Sequence, residues 1–230
     1  MNLANFIVAG CSFSVGISDK EVAINCPTTW SHFLLSKLNP KFFYNLAIPG
    51  SGNFAIANNL IYLLESKNHI EAKDSLIIFN ISGLDRIDTM VPVDHPNANK
   101  SFSWDKDFKF GWIVEGGFLN NKNVFKGLLQ KNMGFEQVQL LSCLSMVQCF
   151  SYLESRNFNY RFMLMDNNIL NSPVWFTDFL NVRQDKWIQF DHAQSMHEYA
   201  KNTNLLSEDK FHPSIHAHKL IADQIFNKII

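Results

Sequence analysis

Short apolar runs alternate along this chain with longer segments in which apolar residues recur at helical spacing. The runs cover residues 6–9, 42–46, 75–83, 159–166 and 186–190. Each has the length and the nearly continuous apolar character of a strand that is buried on both faces of a sheet. Such strands, alternating with amphipathic helices, predict a three-layer α/β/α sandwich with a mostly parallel sheet of about five strands.

The helices are predicted from apolar residues spaced three and four apart. They span residues 30–38, 56–64, about 134–156 and 192–201. A last helix begins at Pro213, and its predicted core face carries Ile215, Leu220, Ile221 and Ile225. Together these helices would cover both faces of the sheet.

Residues 85–133 interrupt the alternation. This stretch is rich in asparagine and aromatic residues and has no clear periodicity, which is typical of a functional loop, lid or insertion. We therefore predict one domain over residues 1–230, with an insertion at about 85–133 that rims a crevice. The aromatic side chains of the insertion either contact a substrate, with Trp104 and Trp112 as candidates, or form a small satellite core under a long loop.

Composition and charge argue against several classes of partner. The chain has 230 residues, 47% of them hydrophobic, and a formal net charge of −1. One large core is therefore expected, without a basic footprint for nucleic acid or an anionic membrane. No apolar run approaches the ~20 residues of a membrane span, and no secretory signal pattern opens the sequence, so a cytoplasmic protein is expected. The 4 cysteines lack CxxC spacing, which predicts reduced thiols.

Ser12 follows the first apolar run directly and lies between Gly10 and Gly16. In an open α/β sheet the reactive groups lie just outside the carboxyl ends of the strands. Ser12 is therefore a candidate nucleophile. The alternative is that Ser12 or Ser14 only caps the segment that follows.

A second pattern near the C-terminus supplies the base that a serine nucleophile needs. Asp209 precedes His212 by three residues, and Pro213 then starts the last predicted helix. A carboxylate and an imidazole on one short loop can pair without long-range help, because the carboxylate accepts from one ring nitrogen and leaves the other free to take a proton. Ser12, His212 and Asp209 are thus the predicted catalytic residues.

Taken together, these patterns resemble the SGNH hydrolase family, also called GDSL-type esterases and lipases. The family's first block is similar to Gly10-Cys11-Ser12, its second block to the segment from Asn45 to Gly50, and its last block to Asp209-x-x-His212-Pro213. The resemblance implies a flavodoxin-like sheet and a serine esterase. It also implies that the backbone N–H groups of Ser12 and Gly50 form the oxyanion hole.

The third block departs from the family pattern. The family has Gly-x-Asn-Asp here, whereas this chain has Gly83 and Asp85 with Leu84 in the position of the asparagine. Leucine cannot donate the hydrogen bond that the resemblance implies for the oxyanion. Asn53, Asn80 and Arg86 are candidates to replace that donor.

The resulting hypothesis is hydrolysis of a small-molecule or glycan acyl ester through an acyl-enzyme, without a metal or an organic cofactor. Family members act on lipids, thioesters and O-acetylated sugars, and the aromatic residues of the insertion favour a carbohydrate O-acetyl ester. Two alternatives remain open. One is a catalytically idle protein that binds a glycan or peptide in the same crevice, and the other is an acyltransferase.

Overall fold

The computed structural model describes residues 3–15, 28–96, 98, 110–115 and 134–230. Its strands are β1 (Asn5–Ala9), β2 (Phe42–Asn45), β3 (Ser75–Ile81), β4 (Ile87–Pro92), β5 (Phe110–Glu115) and β6 (Asn159–Leu164). The main sheet has the order β2-β1-β3-β6, and all of its pairings are parallel. Strands β4 and β5 form a separate antiparallel pair.

Helices cover the main sheet. They are α1 (Ser12–Val15), α2 (Trp30–Leu38), α3 (Asn53–Ser66), α4 (Phe135–Ser155), α5 (Val174–Asn181), α6 (Met196–Asn202) and α7 (Ile215–Ile229), with 3₁₀ turns at Ala72–Asp74 and Asn167–Asn171. Helix α2 packs against α7, and α3 packs against α4. Every residue of β1 and of β3 is buried, so both faces of the sheet are covered at its centre. The predicted three-layer α/β/α sandwich is confirmed.

The register of the sheet brings three strand ends together. Val8 of β1 pairs with Asn45 of β2, and Ala9 pairs with Phe79 of β3. Because the strands are parallel, the segments that follow them all leave from the same edge of the sheet. The segments that follow β1, β2 and β3 are therefore neighbours at this edge. They carry Ser12, Gly50 and residues 82–86, respectively.

Three details of the sequence prediction are wrong. Residues 186–190 do not form a full fifth strand, since Trp187 makes only an isolated bridge to Phe162. The predicted helix at 192–201 begins at Met196, because the hydroxyl of Ser195 accepts the N–H of Glu198 and so caps the helix at that point. Ile215 is 52% exposed, whereas Ile221 and Ile225 of the predicted core face of α7 are buried, together with Ala217 and His218.

The pair of strands β4 and β5 lies within the stretch for which no regular structure was predicted. Its buried position on β4 is occupied by Asp88 rather than by an apolar residue, so the alternation typical of a strand is hidden in the sequence. The other parts of the predicted insertion, residues 97, 99–109 and 116–133, lie outside the described residues.

Two further expectations concern the environment of the chain. No helix in the described ranges has both the length and the apolar character to cross a membrane. Cys11, Cys143 and Cys149 are buried free thiols, as predicted, and Cys26 lies outside the described residues. Burial raises the pKa of both Cys143 and Cys149 to about 12.

Candidate active site

Ser12 is the first residue of α1, one short turn after β1. The turn is tight at Gly10, where a Cβ atom would lie 2.6 Å from the hydroxyl oxygen of Ser14 and 3.1 Å from Cβ of Asn80. A residue with a side chain could not occupy this position without a shift of the turn. Ser12 thus lies just beyond the carboxyl end of β1, which is one of the two central strands of the sheet.

A chain of hydrogen bonds joins Ser12 to the C-terminal loop. Nε2 of His212 lies 2.9 Å from the hydroxyl oxygen of Ser12, across 200 positions of sequence. Nδ1 of His212 is hydrogen-bonded to Oδ2 of Asp209. An ionised carboxylate can only accept, so Nδ1 carries the proton and Nε2 is the acceptor for the Ser12 hydroxyl in the neutral ring. The structure therefore brings the three predicted catalytic residues together.

Asp209 is held by its own loop. Its Oδ1 accepts the hydroxyl of Ser207 at 2.6 Å and the backbone N–H groups of Phe211 and His212, both at 2.9 Å. Burial alone would raise the pKa of this carboxyl, but the hydrogen bonds from Ser207 and from the backbone and ring of His212 hold it well below its usual range. Asp209 thus stays ionised beside His212 at neutral pH.

His197, on α6, contacts the loop that carries Asp209 and His212. Its Nδ1 hydrogen-bonds to the carbonyl oxygen of Phe211 at 2.9 Å, and its ring lies 4.9 Å from the Phe211 ring. Its backbone N–H donates to Met165, just after β6. The local sequence around His197 gives no sign of this contact, because Phe211 is 14 positions away.

His218 lies on α7 close to His212 and is fully buried. Burial, and then the nearby charge of His212, lower the pKa of His218 to about 3. Within the described part of the chain, Nδ1 of His218 has no hydrogen-bond partner. His218 is therefore neutral in the folded protein at pH 7.

This burial predicts a pH-dependent stability. The unfolded chain protonates His218 below its ordinary pKa of about 6.5 while the folded chain does not, so stability is lost as pH falls. Between pH 6 and pH 4, protonation of His218 in the unfolded chain should lower the free energy of unfolding of the wild type by about 1.4 kcal/mol per pH unit. His218→Met should lack this contribution, and urea unfolding measures the difference. His216→Gln, an exposed change on the same helix, should leave the slope unchanged. Parallel profiles for wild type and His218→Met would contradict this account.

The Gly50 loop lies beside the Ser12 turn. The N–H of Ile48 and the hydroxyl of Ser51 both donate to the carbonyl oxygen of Gly10, each at 3.0 Å. Gly50 has a φ of +78°, a backbone conformation that glycine adopts at little cost. The loop and the nucleophile turn therefore share one anchor, two residues before Ser12.

Of the three candidates for the missing oxyanion donor, the structure leaves Arg86 available. Both amide hydrogens of Asn53 are used, by the carbonyl of Ser82 and the hydroxyl of Ser142. Asn80 is fully buried and contacts the sulfur of Met196, so it does not reach the crevice. The half-buried guanidinium of Arg86 donates to the Ser51 carbonyl at 3.1 Å, next to Gly50, and to the sulfur of Met165 at 3.4 Å. A guanidinium carries five N–H donors, more than these two contacts use.

Trp112 corrects the expectation of a substrate-binding aromatic. It is fully buried, its indole N–H donates to the side-chain oxygen of Asn59 at 2.8 Å, and it packs with Ile48 and Ala55. This is the satellite core that was the alternative interpretation. Trp104 lies outside the described residues.

A cavity of about 560 Å³ is lined by Phe211, the residue before His212, and by Met165, whose sulfur lies 3.5 Å from that of Cys11, the residue before Ser12. Ser12, His212 and Asp209 are themselves not part of its wall. Leu84 and Arg86 lie in its wall, together with side chains that can hydrogen-bond: Asp85, Gln139, Asp166, Asn168 and Asn171. No cluster of three or more metal-ligating side chains occurs among the residues that the structure describes.

No family model and no curated protein sequence matches the chain. Solved structures do. The psychrotrophic esterase EstA from Pseudoalteromonas sp., solved with monoethylphosphonate as inhibitor, is 14% identical over 98% of this chain and 96% of that chain, with a TM-score of 0.53. A lipolytic G-D-S-L family protein from Veillonella parvula is 9% identical over 97% of each chain, also with a TM-score of 0.53.

A third structure, a carbohydrate acetylesterase family member from Sinorhizobium meliloti, is 7% identical over 99% of this chain and 97% of that chain, with a TM-score of 0.50. At these identities the likeness concerns the fold. The chain shares its three-layer sandwich with all three proteins over nearly its whole length, as the resemblance in the sequence predicted.

Proposed function

We propose that this chain, whose fold is that of the SGNH hydrolases, is a serine esterase that hydrolyses a small acyl ester. The observation that carries the proposal is the continuous hydrogen-bonded path from the Ser12 hydroxyl through His212 to Asp209. A serine hydroxyl is a weak nucleophile unless an adjacent base takes its proton. His212 is held as that base, and Asp209 is held as its partner.

The reaction would run in two halves. Nε2 of His212 takes the Ser12 proton as the serine oxygen attacks the ester carbonyl, and Asp209 stabilises the imidazolium that forms. The imidazolium then returns the proton to the departing alcohol, which leaves an acyl group on Ser12. Water, deprotonated by the same ring, attacks this acyl-enzyme, and the carboxylic acid is released with Ser12 restored.

The oxyanion would be stabilised by the backbone N–H groups of Ser12 and Gly50 and by the guanidinium of Arg86. The anchoring of the Gly50 loop on Gly10 supports the first two donors. The hydrogen bond from Arg86 to the Ser51 carbonyl supports the third, since it places the guanidinium beside Gly50. Preorganised donors of this kind act mainly on the transition state.

Replacing Arg86 with methionine is expected to lower kcat for p-nitrophenyl acetate by about 10²-fold, with KM changed much less, because the lost donor acts on the developing oxyanion. Steady-state kinetics measures both constants. The matched control is Arg161→Met, which removes a guanidinium whose hydrogen bonds, among the described residues, go to Asn159 and Tyr160 on β6. Equal kinetics for wild type and Arg86→Met would remove Arg86 from the oxyanion hole.

The cavity supports a carbohydrate O-acetyl ester as substrate. Its hydrogen-bonding side chains include carboxylates and amides, and Phe135 and Phe211 add aromatic surface. This combination suits a ligand with many hydroxyl groups and an apolar ring face. The cavity, of about 560 Å³, adjoins the residues that precede Ser12 and His212, so we assign it to the alcohol part of the ester.

Acetate release from an O-acetylated oligosaccharide tests the substrate. We expect kcat/KM for this ester to exceed that for p-nitrophenyl acetate, and Asn168→Leu, in the cavity wall, to lower only the former. A preference for long-chain p-nitrophenyl esters would point to a lipid instead.

Leu84 favours one other function, binding without turnover. That function would be indicated by oligosaccharide binding without acetate release.

A further inference from the structure

Asp88 is a buried carboxylate that plays no part in the triad. It lies on β4 and is 8% exposed. Its Oδ1 accepts the N–H of Gly52 and its Oδ2 accepts the N–H of Ala55, both at 2.9 Å. Gly52 and Ala55 belong to the start of α3, so strand β4 supplies the cap for a helix that has no side-chain cap of its own.

The same start of α3 continues from the Gly50 loop. Ser51, in that loop, is also held by hydrogen bonds: its hydroxyl donates to the carbonyl oxygen of Gly10, and its own carbonyl oxygen accepts the hydroxyl of Ser82 at 2.8 Å. The hydrogen bond from Gly52 to Asp88 fixes the next residue along the chain. At Gly52 a Cβ atom would lie 2.9 Å from Oδ2 of Asp88 and 2.9 Å from Cβ of Arg86, so the close approach needs glycine there.

A neutral side chain cannot make both contacts of Asp88. The isosteric amide of asparagine has one acceptor oxygen, and its NH₂ group would face the second N–H donor. The carboxylate is present at a cost, because burial raises the pKa of Asp88 to about 6 against the lowering effect of the two N–H groups and of Arg86. The carboxylate thus fixes the positions of two backbone N–H groups in the segment that follows Gly50.

We propose that Asp88 is a positioning residue that fixes the Gly50 loop, and with it the Gly50 N–H, relative to Ser12. The inference rests on the proposed esterase function. Asp88 does not touch the substrate; it acts through the backbone of Gly52. Because Gly50 would stabilise the oxyanion and not the bound ester, a loosened loop lowers kcat and leaves KM largely unchanged.

The test compares Asp88→Asn with Asp94→Asn, which changes an exposed carboxylate just after β4. For Asp88→Asn we expect kcat for p-nitrophenyl acetate to fall about 10- to 100-fold with KM within about twofold, because one preorganised donor is misplaced. We expect Tm to stay within about 5 °C, since a lost hydrogen bond and a relieved buried charge oppose each other. Asp94→Asn should match wild type in all three.

Amide hydrogen exchange gives a readout that does not depend on activity. In Asp88→Asn the amides of Gly52 and Ala55 should exchange faster than in wild type, and the Gly50 amide resonance should shift. Unchanged kcat in a folded Asp88→Asn variant would overturn the proposal, whatever the exchange rates. If the wild type has no Ser12-dependent turnover, the esterase proposal fails. The positioning role is refuted separately if the Gly50 amide resonance is the same in Asp88→Asn and in the wild type.

A second variant covers the case in which Asp88→Asn does not fold. Gly52→Ala introduces a methyl group 2.9 Å from Oδ2 of Asp88 and so displaces the loop while the carboxylate stays in place. It should show the same fall in kcat with an unchanged KM. A folded Gly52→Ala protein with wild-type kcat would overturn the proposal.

Discussion

Replacing Ser12 with alanine is expected to lower kcat for ester hydrolysis by at least about 10⁴-fold, because the acyl-enzyme can no longer form. The hydroxyl lies 2.9 Å from Nε2 of His212, and no other hydroxyl is hydrogen-bonded to that ring nitrogen in the described part of the chain. Substrate binding should change little. Initial rates with p-nitrophenyl acetate, together with a thermal unfolding curve, measure the effect.

Ser14→Ala is the matched control. Ser14 lies on the same short helix, is fully buried, and its hydroxyl has no partner among the described residues. Removing that hydroxyl should leave both kcat and Tm close to the wild-type values. If Ser12→Ala kept more than about a tenth of the wild-type rate while folded, the serine would not be the nucleophile.

Replacing His212 with glutamine is expected to lower kcat by about 10⁴-fold or more, since the ring is the base for both halves of the reaction. Glutamine keeps a polar side chain of comparable length but cannot take a proton at neutral pH. Initial rates with p-nitrophenyl acetate at neutral pH, together with a thermal unfolding curve, measure the effect.

Two comparisons separate this loss from a structural one. His216→Gln makes the same change at an exposed position of α7 and should leave the rate unchanged. The double variant Ser12→Ala/His212→Gln should be no slower than Ser12→Ala alone, because residues that act as a unit do not contribute additively. A double variant that is another ~10⁴-fold slower would mean that the two residues act independently.

The sequence suffices for those parts of the site that short-range chemistry dictates. Asp209 and His212 are three positions apart on one loop, so their pairing follows from spacing alone. Ser12 follows an apolar run with the length expected for a buried strand, and a parallel sheet brings the ends of such strands to one edge. The contact between Ser12 and His212, across 200 positions, agrees with the order of blocks in the family that the sequence resembles.

Other parts depend on contacts that no local pattern encodes. The role of Asp88 needs the β4–β5 pair to fold against α3, and an aspartate at a buried strand position reads in sequence as a loop residue. Asn53 looks like a free amide until the structure shows both of its hydrogens used by residues 29 and 89 positions away. Trp112 likewise looks available for a substrate until the structure shows its contacts with Asn59, Ile48 and Ala55, which are more than 50 positions away.

Leu84 illustrates how the departure from the family pattern is accommodated. It is 5% exposed and packs into the main core, where an asparagine in its place would have to turn toward the crevice to find a partner. Arg86, two residues later, carries the polar group that reaches the Gly50 loop. The donor that the third block lacks can thus be supplied from the same segment after β3.

Covalent labelling with ethyl p-nitrophenyl methylphosphonate tests the central claim most directly. The Ser12 oxygen would displace p-nitrophenolate from phosphorus and leave a stable phosphonate ester, whichever acyl ester is the natural substrate. Intact mass and peptide mapping should find one adduct, on Ser12, absent in Ser12→Ala and formed far more slowly in His212→Gln. An unlabelled wild-type protein, or an adduct that persists in Ser12→Ala, would contradict the assignment of Ser12 as an activated nucleophile.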